Sequence, residues 1–145
     1  MKFNKKFIQP TLSAISLISL FIFPFVSNNF GYGVKNSFNG FTVAMNTYIG
    51  YLMIILPLVL AIASFTPKYQ EKLPILSLAT PVLCIISWLL CVLFAKTFVD
   101  NLADSTLAIG AYITLICYIA LMAYGFITYR ATLTQLITQY KEKRK

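Results

Sequence analysis

The chain has 145 residues, 59% hydrophobic and 11% charged, with twelve Lys or Arg against four Asp or Glu, a formal net charge of +8 and no His. Soluble domains carry about a quarter charged residues, so a water-facing domain of this composition would lack polar surface to cover its apolar content. The absence of His removes the commonest general base, metal ligand and axial haem ligand, and no base-reading motif accompanies the positive charge.

The charges are clustered, leaving Phe7 to Val34, Asn36 to Pro67, Leu73 to Ala95 and Ser105 to Tyr129 neutral. Each neutral stretch holds a mainly apolar run of about 17 to 25 residues, the length that crosses roughly 30 Å of hydrocarbon as a helix. The sequence therefore predicts an all-α membrane protein, a four-helix transmembrane bundle with spans at residues 10–26, 47–65, 74–95 and 105–129 in a single domain over 1–145. Lys2, Lys5, Lys6, Lys68, Lys72, Arg130, Lys141, Lys143, Arg144 and Lys145 fall on one side and only Lys35 and Lys96 on the other. Positive loops stay in the cytoplasm, so both termini are expected inside.

The first span follows a Lys-bearing start, as a signal peptide would, but Ser27-Asn28-Asn29-Phe30 offers no small-x-small cleavage site and an uncleaved anchor is expected. Pro10 starts this helix, at a position where a missing N–H costs nothing.

Residues 30–45 form the longest loop. Asn39-Gly40 is a strong hairpin signal, because a type I′ turn needs positive φ at both central residues. With that turn Phe38 pairs with Phe41, and Tyr32, Val34, Phe38, Phe41, Val43 and Met45 share one apolar face of a small extracellular β-hairpin. An isolated hairpin is marginal in water, so this face is expected to rest on the helix ends, the headgroups or another protein.

Pro57 falls inside the second span and Pro81 inside the third, where each removes a backbone hydrogen bond and bends its helix. The freed carbonyls are expected to be met by Ser, Thr or water. Pro74 opens the third span, in which Ser77, Thr80, Cys84, Ser87 and Cys91 recur at intervals of three and four. Small residues at this spacing make a helix-packing stripe in lipid, with Gly110, Thr114 and Cys117 of the fourth span as its partners. Cys84, Cys91 and Cys117 all lie within spans without a CxxC pair, and are read as reduced packing residues.

Asp100 and Asp104 occupy the link before the fourth span. Asp104 is expected to cap that span and Asp100 to pair with Lys96, four residues earlier. The fourth span continues as a cytoplasmic amphipathic helix over 130–145, with Leu133, Leu136, Ile137 and Tyr140 on one face and a basic end.

No Asp, Glu, His, Lys or Arg lies within a predicted span, which counts against proton pumps, ion-coupled carriers and intramembrane aspartyl proteases. No catalytic, metal-ligating or cofactor-binding residue is predicted, and no cofactor. The expected function is that of a small non-enzymatic membrane protein acting by interaction, as an accessory subunit, regulator or immunity-type factor of a membrane complex. The alternative is an oligomeric pore or small-solute transporter. Expected partners are the bilayer, anionic lipid headgroups at the C-terminal tail, and a membrane protein or a second copy, with no nucleic acid. The Lys/Asn/Ile/Phe-rich composition suits a bacterial cytoplasmic membrane.

Overall fold

The computed structural model describes residues 7–29, 35–99 and 104–142, which are mostly helical with one small sheet. Helix α1 (Ile8–Ile22) leads into strand β1 (Pro24–Asn29), followed by β2 (Lys35–Asn39) and the short helix α2 (Gly40–Asn46). A turn of 3-10 helix at Tyr48–Tyr51 opens α3 (Leu52–Phe65), a second at Pro67–Tyr69 leads to α4 (Leu73–Val99), and β3 (Asp104–Leu107) precedes α5 (Ile109–Glu142).

The four long helices pack in a ring, α1 against α3 and α5, and α4 against α3 and α5. Three segments are long and apolar enough to cross a membrane: Tyr48–Phe65, Leu73–Phe94 and Ile109–Tyr140. Helix α1 is apolar but has 15 residues, about 22 Å at the α-helical rise. It stops earlier than the expected Val26 because Phe23 precedes Pro24. A residue before proline is forced out of the helical region, and Phe23 is extended at φ −90° and ψ 146°.

The chain freed by Pro24 becomes the centre of an antiparallel sheet in the order β2-β1-β3. Val26 stands opposite Phe38 on one side and Leu107 on the other, and Asn28 opposite Asn36 and Ser105. A hairpin thus follows α1, but the expected one, turning at Asn39-Gly40, is corrected. Asn39 has φ −72° and ψ 163°, outside the positive-φ region that a type I′ turn demands. It caps α2 instead: its Oδ1 accepts from the Thr42 backbone N at 2.9 Å and from Thr42 Oγ1 at 2.7 Å. Gly40 is required for close approach, since a Cβ there would collide with the Leu20 side chain.

The start of the fourth span is also corrected. Asp104 pairs with Asn29 in the sheet, the Ala108 N–H donates to Phe25 O at 2.9 Å, and α5 begins only at Ile109. Asp104 is therefore not the cap of that helix. Asp100 lies outside the described residues.

Burial is inverted relative to a soluble bundle. Gln9, Ser13, Ser16, Ser19, Ser77, Thr80, Ser87 and Thr114 are buried, while Ile15, Ile18, Ile22, Ile55, Ile62, Leu83, Leu89, Ile116 and Ile119 are exposed. Between the helices, Leu20, Phe25, Met53, Leu60, Trp88, Tyr118 and Leu121 form one apolar cluster.

Candidate functional site

The polar groups that could do chemistry or bind a ligand are concentrated inside the bundle, so the interior is the first place to look. Most of the partners found there are backbone carbonyls. Pro57 lacks the N–H that would bond Met53 O, four residues earlier. Tyr118 of α5, which stands across the ring from α3, donates its hydroxyl to that oxygen at 3.1 Å. Pro81 likewise leaves Ser77 O without an intrahelical donor, and Gly125 of α5 approaches it so closely that a Cβ would sit 2.6 Å away. One helix, α5, therefore meets both proline-freed carbonyls: it supplies a tyrosine donor at Met53 O, where Ser, Thr or water was expected, and a close glycine at Ser77 O.

All five residues of the α4 stripe are buried. Ser87 Oγ donates to Ile49 O at 2.6 Å, Cys91 Sγ lies 3.2 Å from Thr47 Oγ1, and Ser77 Oγ donates to Pro74 O at 3.1 Å. Cys84 Sγ is 3.9 Å from Leu52 O, and Trp88 Nε1 donates to Ala111 O at 3.1 Å. The stripe faces the start of α3 and the turn before it, as well as α5. Cys84, Cys91 and Cys117 are free thiols. Among the described residues no three His, Cys, Asp or Glu side chains come together as a metal site.

A second polar row was not recognised in the sequence. On α1, Gln9, Ser13, Ser16 and Ser19 are all buried, at intervals of four, three and three. The same periodicity that marked α4 was available to reveal them. At its C-terminal end Ser19 Oγ donates to Gly110 O at 3.0 Å, and Thr114 Oγ1 lies 3.2 Å from Ser19 Oγ and 2.7 Å from Gly110 O. Gly110 also permits the close approach of Phe23 and Pro24, because a Cβ would lie 2.7 Å from Pro24 O. At the other end Gln9 Nε2 and Ser13 Oγ are buried without a hydrogen-bond partner.

Phe7, Ser64, Phe65, Pro67 and Gln70 line a cleft of about 260 Å³. The Phe7 and Phe65 rings are 6.2 Å apart, and Gln70 Nε2 donates to Ser64 O at 3.3 Å. This cleft lies at the end of the bundle that carries the α3–α4 link.

The residues expected to form one apolar hairpin face are separated. Tyr32 and Val34 lie outside the described residues. Phe38 belongs to β2, whereas Phe41, Val43 and Met45 belong to α2. Phe41 stacks on Phe21 with ring centroids 4.7 Å apart, Val43 packs against the apolar cluster, and Met45 and Phe38 are exposed. The expected placement of these four on one hairpin face is therefore corrected, because the Asn39 cap starts a helix at Gly40. In the tail, Ile137 and Tyr140 are exposed and Leu133 is half-buried. Leu136 lies in the same helix, α5.

Comparison with protein-family models, with curated proteins and with solved structures gives no significant match.

Proposed function

We propose that this chain is a four-span membrane protein, both termini on the cytoplasmic side, that works by binding another membrane component and not by catalysis. The observation that carries the membrane reading is the inverted burial: hydroxyls and an amide point into the bundle while Ile, Leu and Phe cover its outside. In water that surface would be a large aggregation-prone patch; in lipid it is the ordinary exterior. Helix α1 joins the other three as a span because it shares this pattern and packs between α3 and α5. The extended residues that follow it add the remaining length.

Two features support interaction as the mode of action. Ser87, Cys91 and Cys84 of α4 contact Ile49, Thr47 and Leu52, and the bulky Tyr118, Trp88 and Leu121 fill the space between helices, which favours a packed scaffold over a conduit. Helix α5 continues past Tyr129 to Glu142, and 126–142 contains no Pro or Gly to turn it. A continuous helix keeps its direction, so the tail extends about 20 Å from the bundle. That direction suits docking of Leu133, Ile137 and Tyr140 on a protein better than lying flat on anionic headgroups. A transport reading draws on the buried hydroxyl row of α1.

Purification from native membranes in a mild detergent tests the proposal. A stoichiometric partner that is lost when residues 130–145 are removed would support it. Solute flux in proteoliposomes containing only this chain would overturn it in favour of transport.

A further inference from the structure

We propose that the part of α5 that runs past the start of α4 is the seat for an amphipathic helix of a partner membrane protein, one that carries Asp or Glu along its flanks. The proposal rests on the interaction reading and names the partner's chemistry. Helices α4 and α5 run antiparallel, since Trp88 meets Ala111 and Ser77 meets Gly125. Four residues beyond Gly125, Tyr129 therefore stands level with Leu73, the first residue of α4, and both pack in the same apolar cluster. There α4 gives way to the α3–α4 link while α5 runs on to Glu142, an overhang of about 20 Å at the α-helical rise.

The overhang keeps the pattern of a packed helix. At about 100° per residue, Tyr129, Leu133, Ile137 and Tyr140 fall within about 80° of arc. Gly125, which touches α4, lies beside that arc, while Gly110 and Thr114, which meet α1, lie outside it. The stripe thus continues the side of α5 on which α4 packs. Past Tyr129 the described side chains of α5 are exposed apart from the half-buried Leu133, and Ile137 is 57% exposed. Elsewhere on the overhang, Thr134 Oγ1 donates to Arg130 O and Thr138 Oγ1 to Thr134 O, each at 2.9 Å. Those hydroxyls are engaged by their own helix, which leaves the apolar stripe as the side that gains by being covered. A helix lying where α4 would continue beyond Leu73 covers it.

Charge selects the occupant. Lys68 and Lys72 stand exposed on the link and Arg130 at the base of the overhang. The last five residues of the chain add four basic ones, and the acids at this end are Glu71 and Glu142. A second copy, held by the membrane in the same orientation, would bring the same positive surface into the notch, and like charges across an interface are unfavourable. Lipid headgroups would meet the charge but leave the apolar stripe uncovered on the aqueous side. An apolar stripe flanked by Asp or Glu matches both the stripe and its basic border.

The test places the photo-crosslinking residue benzoylphenylalanine at position 133 or 137, and at 131 or 135 on the opposite side of the helix, in the whole chain in its native membranes. Positions 133 and 137 should join one partner segment, in which Asp or Glu flank apolar residues spaced i, i+3, i+4 and i+7, and 131 and 135 should not. Lys68→Gln combined with Arg130→Gln should lower that crosslink about three- to tenfold with an unchanged melting temperature, and Lys68→Arg combined with Arg130→Lys should retain it. Equal crosslinking from all four positions, a joined segment without acidic residues, crosslinks only to lipid or to a second copy, or an undiminished crosslink in the Gln pair would each overturn the proposal. With a partner still co-purifying, those outcomes leave the interaction reading standing. A chain that co-purifies with no protein fails that reading itself, and the seat with it.

Discussion

The Tyr118 hydroxyl donates to the Met53 carbonyl at 3.1 Å, the oxygen that Pro57 leaves without its helical partner. Helices in lipid have no water to fall back on, so a bend in one helix must be answered by a donor from another. Replacing Tyr118 with Phe removes that donor. The loss should be about 0.6 to 1.5 kcal/mol, measured by reversible unfolding in detergent or bicelles. In Pro57→Ala the backbone N–H is restored, and Tyr118→Phe should then cost less. A double-mutant cycle with no coupling between positions 57 and 118 would contradict this account of the pair.

Gly125 is the counterpart for Pro81. A Cβ at residue 125 would lie 2.6 Å from Ser77 O, closer than packed atoms approach. Gly125→Ala should therefore separate α4 from α5 and destabilise the fold by about 1 to 3 kcal/mol. Ala is the better helix former, so a stabilised Gly125→Ala variant would mean that the two helices do not touch here.

Asn39 is argued to cap α2 and not to turn a hairpin. Asn39→Asp retains an acceptor for the Thr42 N–H but loses the Nδ2 donor to Phe21 O at 3.1 Å, so the cap itself should survive in Asn39→Asp, whereas Asn39→Ala loses it at a cost of about 1 kcal/mol. Amide exchange at Thr42, protected by the 2.9 Å bond to Asn39 Oδ1, should speed up in Asn39→Ala alone. If the chain instead turned at Asn39-Gly40 in a type I′ geometry, Asn39→Asp and Asn39→Ala would be distinguished by turn propensity and leave exchange at Thr42 unaffected.

The long helices were legible because lipid-crossing length and the absence of charge are properties of a single segment. Local competition was harder to read. Pro24 was available in the sequence as a reason for α1 to end at Ile22, yet within an apolar run it was absorbed into the span. Asn39-Gly40 carries two meanings, since Asn serves a turn and a helix cap equally well. What decided between them was Leu20, distant in sequence, against which Gly40 packs. The α4 stripe could be seen from spacing alone, but its partners Ile49, Thr47 and Leu52 could not. The matching row on α1 followed the same periodicity and was hidden by its apolar neighbours. Tyr118 as the answer to Pro57 depends on two helices meeting in space, which no local pattern encodes.

The three cysteines are buried, and Cys84 and Cys91 face α3 and the turn before it at Leu52 and Thr47. In the folded chain a bulky maleimide should leave all three unmodified under conditions that label them fully after denaturation. Fast labelling of Cys91 in the native state would place the Thr47 contact in doubt.

The membrane placement of α1 is the step on which the four-span account depends most. Single spin labels at positions 15, 18 and 22, in a cysteine-free background reconstituted in bilayers, test it through collision with oxygen and with a water-soluble nickel reagent. Ile15, Ile18 and Ile22 are exposed at 42%, 51% and 69%, and the account predicts that each collides freely with oxygen and is shielded from nickel, as at the exposed Ile116 of α5. Strong nickel accessibility at all three, with Ile116 still shielded, would mean that α1 lies outside the bilayer and that the chain does not cross it four times.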